Sequence, residues 1–199
     1  MKGKGINIFL SSHLLVIMEP RYFIEEFTGK DKKRIIIRTI DVCDTGGLLK
    51  FINDLVDEDA PIEINHKTDY ASESEYTANK VKSLIFGNEI SIVAVDGEDI
   101  AGEADIKNGN GRSYGIGNIG ISIAKEYRGI GLGLEMMNVL LRLSKNSGEY
   151  RIATLDVFSN NLPAKNLYEK IGFKVAGVVP KFCKIGNSYV DDIRMYKEF

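Results

Sequence analysis

Residues 125–137 read KEYRGIGLGLEMM: an arginine, then glycine at every second position, then an apolar run with helical spacing. A dinucleotide-binding turn carries G-x-G-x-x-G, and here the third glycine comes one residue early. A P-loop ends in Gly-Lys-Ser/Thr, where this chain has Gly133-Leu134-Glu135. The remaining alternatives are a tight strand-to-helix turn that binds nothing and a turn that holds an anion. The preceding stretch NIGISIA (118–124) has the apolar pattern of a strand. Arg128, Gly129, Ile130, Gly131, Leu132 and Gly133 therefore lead straight into a helix N-terminus. Free amides there attract anions, glycine lets an anion come close, and Arg128 adds charge-assisted hydrogen bonds. A pyrophosphate is the natural occupant.

Working outward from this turn, hydrophobic period and turn signals predict a mixed chain. Residues 22–40 read as two extended segments around Thr28-Gly29-Lys30-Asp31. A helix follows, with Leu48, Leu49, Ile52 and Leu55 on one face, then a second helix over 72–86. EISIVAV and IAGEADI form two strands joined at Asp96-Gly97-Glu98-Asp99. Beyond the glycine turn come a helix over 132–146, the strand RIATLDVF, the helix LPAKNLYEKIG and two closing strands around Gly186-Asn187. The order β-α-α-β-β-β-α-β-α-β-β predicts one α+β domain over residues 34–199, preceded by an N-terminal extension over 1–33. The start, MKGKGINIFLSSHLLVIMEP, has lysines before an apolar run as a secretory signal does. Ser11-Ser12-His13 interrupts that run, and no A-x-A-like site follows. It reads as an extra strand or an extension, with Met18 a second candidate start.

The chain has 199 residues, 44% of them hydrophobic, enough for one substantial core. Its 26 basic and 28 acidic residues leave no basic surplus, which argues against binding nucleic acid through a broad cationic face. The run is too short to span a bilayer, so no membrane partner is expected. Cys43 and Cys183 stand far apart in no metal or redox spacing, consistent with a reduced, cytoplasmic protein and with no metal site.

The segment ISIAKEYRGIGLG resembles the Q/R-x-x-G-x-G/A signature of the GNAT superfamily of N-acetyltransferases. NNLPAKNLYEKIGFKVAG resembles the N-x-x-A-x-x-L-Y-x-x-x-G-F segment of the same family, in the right order and separated by a helix and a strand. The likeness covers roughly residues 34–199. It implies a mixed, mostly antiparallel sheet flanked by helices on both faces and splayed at a cofactor cleft. It also implies direct transfer of an acetyl group from acetyl-CoA to a primary amine, either on a protein or on a small molecule, by a monomer or homodimer. No metal is required.

On spacing alone, Ala164, Leu167, Tyr168 and Ile171 form one apolar stripe, and Asn161 is placed to cap the helix. The resemblance adds that Tyr168 lies beside the coenzyme A sulfur and protonates the departing thiolate, a role suited to a phenol donor. It also implies that Asn161 contacts the pantetheine side. Ile121, Ser122 and Ile123 would pair with the pantetheine arm and supply oxyanion-stabilising amides. The turn from Arg128 to Gly133 would cradle the pyrophosphate.

Many relatives carry a glutamate where this chain has Asn118, and an amide cannot act as a base. The remaining carboxylates near the expected site are Glu103, Asp105 and Asp156, with Glu103 the candidate general base. Glu58 is an alternative contact for a cationic substrate, and a water chain is a further proton route. The missing acid also leaves open a different class: a coenzyme A-binding sensor or regulatory domain with little turnover.

Overall fold

The computed structural model describes residues 18–30 and 32–199. The apolar N-terminal run over 1–17 lies outside the described residues. The strands are β1 (Phe23–Thr28), β2 (Arg34–Thr39), β3 (Glu89–Asp96), β4 (Asp99–Asn108), β5 (Ile116–Ile123), β6 (Ile152–Phe158), β7 (Lys174–Ile185) and β8 (Ser188–Glu198). The helices are α1 (Thr45–Asp57), α2 (Tyr70–Ile85), α3 (Leu132–Ser147) and α4 (Leu162–Lys170). The strands form one sheet in the order β1-β2-β3-β4-β5-β6-β8-β7. Every neighbouring pair is antiparallel except β5 and β6. The mixed, mostly antiparallel sheet expected from the sequence is present. It also reaches upstream of residue 34, since β1 forms its outer edge.

Two cores sandwich the sheet. On one face Met136, Met137, Val139 and Leu140 of α3 lose all contact with solvent against Ile92, Ala104 and Ile106. Each such side chain contributes about 1.5–3 kcal/mol on burial. On the other face, Leu48, Phe51 and Leu55 of α1 meet Val81 and Leu84 of α2 over Val93 and Ile100. Leu48, Leu55 and the partly buried Ile52 lie on the face expected from the sequence pattern, and Phe51 joins them in the core while Leu49 is only half-buried. The helix entry is fixed by a buried ion pair: Arg38 on β2 donates to both oxygens of Asp44, at 2.8 and 2.6 Å.

Three residue pairs join β5 to β6, from Ile116–Ile152 to Asn118–Thr154. Beyond Thr154 the two strands part, and β6 continues paired only with β8. This divergence opens the cleft that organises the site.

Candidate active site

The backbone register shows which peptide groups of β5 look into the cleft. Gly109 N donates to Ile116 O, and Ala124 N donates to Ala101 O. Hydrogen-bonded pairs in an antiparallel ladder alternate, so Ser122 and Gly120 turn their peptide groups toward β4. Ile121 and Ile123 turn theirs toward the gap. Side chains follow the opposite logic: those of Ile121 and Ile123 lie on the α3 face, and Ser122 shares the other face with Glu103.

At the end of β5 the glycine turn adopts a conformation that other residues avoid. Gly129 and Gly131 have φ of +75° and +101°. Gly131 is the N-cap of α3 and has no side chain to cap the helix amides. Leu132 is fully buried and anchors the turn, while Ile130 is half-buried. A Cβ on Gly133 would touch Ile123 and Leu167 at 3.6 Å, so the helix start, β5 and α4 converge there. Arg128 donates from Nε to Ile123 O at 2.9 Å, and both its terminal nitrogens bond Glu58, which follows α1. Glu58 therefore meets a cation inside the protein.

Asn161 is the N-cap of α4, and its Oδ1 accepts from Ala164 N at 3.3 Å. Tyr168, two turns on from Asn161, is 7% exposed and lies against Phe173 with ring centroids 6.1 Å apart. Burial pushes its phenol up to about 12. Its hydroxyl has no hydrogen-bond partner among the described residues. It is not sealed off either, because the one sealed, unpartnered side-chain atom there is Asn108 Nδ2.

Glu103 and Asp105 lie under α2 around Lys80 Nζ, which sits 3.6 Å from Glu103 and 2.5 Å from Asp105. Glu89 on β3 is 2.9 Å from the same nitrogen, and Tyr76 donates to Glu103 at 3.3 Å. One ammonium thus faces three carboxylates. Burial raises the Glu103 carboxyl, opposed by Lys80 and by the Tyr76 hydrogen bond. Burial pushes Asp105 to about 6, against the pull of Lys80. Gly120 stands directly opposite Asp105, and a Cβ there would lie 3.2 Å from Asp105 Oδ1. The bare glycine leaves this carboxylate a window onto the exposed surface of β5. Sequence reasoning missed Lys80, although a signal was present: Glu73, Thr77 and Lys80 occupy the core-facing stripe of α2.

Asn118 sits where the strands divide, its Nδ2 3.4 Å from Thr154 Oγ1. Across the gap, Asp156 accepts two hydrogen bonds from Arg194, at 2.7 and 3.0 Å. Cys43 is exposed and Cys183 half-buried, both as free thiols. The ladder with β8 is interrupted between Val179 and Cys183 and resumes at the Cys183–Val190 pair. Among the described residues there is no group of three or more metal-ligating side chains, and no helix long and apolar enough to cross a membrane.

Comparison with known proteins agrees with this architecture. The chain is 26% identical over 102 residues to the L-amino acid N-acetyltransferase AaaT of Escherichia coli, a match covering 50% of this chain and 62% of AaaT. It spans less than two thirds of the length of the curated relatives it matches. A GNAT-family acetyltransferase from Streptococcus pneumoniae superposes with a TM-score of 0.74 at 24% identity, covering 83% of this chain and 99% of that one. The putative acetyltransferase YncA from Salmonella typhimurium, solved with its cofactor acetyl-CoA, superposes with a TM-score of 0.70 at 18% identity, covering 82% and 93%. The model of the acetyltransferase (GNAT) family matches residues 49–173, from within α1 to the residue before β7, and the chain belongs to that family.

Proposed function

We propose that the protein transfers an acetyl group directly from acetyl-CoA to a primary amine, on a protein N-terminus, a lysine or a small molecule. The observation that carries this reading is the gap beyond Asn118 and Thr154. The peptide groups of Ile121 and Ile123 face into it, and it ends at a glycine turn with uncapped helix amides. Gly129 and Gly131, with no side chain over the turn, suit a pyrophosphate, and Arg128 supplies a cation at its rim. When bound, acetyl-CoA supplies a thioester whose carbonyl accepts the amine and whose thiolate leaves.

The protein's own groups have distinct tasks. Ile121 N–H is the donor for the developing oxyanion. Tyr168 Oη gives its proton to the sulfur, then recovers one from solvent through the same opening. Glu103, with Asp105 beside it, takes the proton lost by the amine, reached past Gly120 and through water. This pair stands in for the acid missing at Asn118. Ser122 lies opposite Glu103 at the same level and orders that path.

The test is thiol release from acetyl-CoA across a panel of peptides, polyamines and amino sugars, beside titration of coenzyme A by calorimetry. Release with at least one amine, lost in Gly131→Asp together with coenzyme A binding, is the expected result. Coenzyme A binding with no release from any amine favours the regulatory reading, for which Asn118 is the specific motive.

A further inference from the structure

On β8, one buried carboxylate has no side-chain partner among the described residues. Asp192 on β8 is 6% exposed and makes no hydrogen bond or ion pair among the described residues. Its side chain lies on the same face of the sheet as that of Arg194, two residues along, and hence as Asp156 and Thr154 across β6. Its oxygens are not sealed, since the single sealed unpartnered side-chain atom is elsewhere. Burial raises its carboxyl, and Asp156 and Glu63 raise it further while Arg194 lowers it. Glu63, in the loop between α1 and α2, is exposed and close enough to act on both Asp192 and Cys183. Arg194 does not compensate, because its guanidinium is already held by both oxygens of Asp156.

A buried carboxylate without a partner is costly unless a cation arrives. Here it opens onto the surface that continues from the β5–β6 gap across β6. We propose that Asp192, with Glu63 above it, binds a second ammonium group of the acceptor while the first is acetylated at the gap. The acceptor is then a diammonium compound. This rests on the direct-transfer reading and narrows its substrate class. Asp192 lies one strand beyond β6 and two residues along from the level of Asp156, roughly 8 Å from Asp156 on the side away from the gap, so the two ammonium positions are at least that far apart. A simple amino acid without a side-chain amine carries no second ammonium to place at Asp192 and Glu63.

The experiment separates this site from turnover. The full chain, saturated with coenzyme A, is titrated calorimetrically with hexamethylenediamine and with hexylamine. The diamine is expected to bind about tenfold more tightly. In Asp192→Asn the advantage falls to about twofold or less, while coenzyme A affinity is unchanged. Glu63→Gln, on an exposed loop, keeps the fold and gives a smaller loss, so the test survives if the buried substitution does not fold. Equal binding of the two amines by the unmodified protein overturns the proposal, as does a preference unchanged in both variants. If thiol release is also absent, the transfer reading fails on that separate measurement, and the binding preference still decides for or against the second ammonium site.

Discussion

Arg128, at the start of the glycine turn, is tied to Glu58 beyond α1 through both terminal nitrogens, while its Nε holds the carbonyl of Ile123. One guanidinium therefore links the end of α1, the end of β5 and the anion-ready helix start. Glu58 and a phosphate compete for the same donors. A partly exposed pair is worth at most about 1 kcal/mol, or less than about fivefold in affinity. Glu58→Gln is expected to tighten coenzyme A binding about threefold, and Arg128→Ala to weaken it about tenfold, both read by calorimetry.

Tyr168 has a hydroxyl that no group among the described residues bonds, inside an apolar stripe that fixes its ring. Tyr168→Phe keeps the stripe and removes only the proton. Turnover should fall about a hundredfold or more while coenzyme A affinity stays within about twofold. Steady-state kinetics beside a binding titration measures both. Unchanged turnover would remove Tyr168 from the reaction.

Asp105 is held near 6 by burial, against an ordinary value of 3.8. As a base it must be ionised, so kcat/KM should rise with pH to a plateau, with an apparent midpoint near 6 that belongs to the whole Lys80 cluster. Its effect on stability has the opposite sense. Between about 4 and 6 the folded protein binds more protons here than the unfolded chain, so this contribution falls as pH rises. Asp105→Asn should flatten that part of the stability profile in denaturant titrations and remove the ascending limb of activity. An unaltered activity profile would assign the limb to Glu103 alone.

Lys80 is charged throughout this range: burial opposes its proton, but Asp105, Glu103 and Glu89 outweigh that. Replacing it by methionine leaves three carboxylates uncompensated. Lys80→Met should cost about 3–5 kcal/mol at neutral pH, and less at pH 5, below the value of about 6 to which burial pushes Asp105. Urea unfolding at the two pH values checks the sign.

The glycine turn, the L-Y helix and the order of strands were legible because local rules govern them. Gly129 and Gly131 sit at positive φ, which few other residues accept, and the α4 stripe is a plain 3.6-residue period. The face of α1 was misjudged between Leu49 and Phe51 because both suit the same amphipathic pattern. Only the packing of α1 against the sheet and α2 decides which of them is buried. Lys80 escaped notice because an ionised residue at a core position has meaning only when its partners, Glu89, Glu103 and Asp105, arrive from two other elements.

By itself the sequence determined the family, the anion-ready turn and the identity of the residues along β5, since these depend on neighbours a few positions apart. The tertiary structure decided what those residues face. The alternation of the β4–β5 ladder turned Ile121 and Ile123 toward the gap, and the bare Cα of Gly120 exposed Asp105. The β6–β8 register put Asp192 on the face of Asp156 and Arg194, where its side chain has no partner among the described residues. Each depends on strand pairings between segments distant in the chain, which local propensity does not encode.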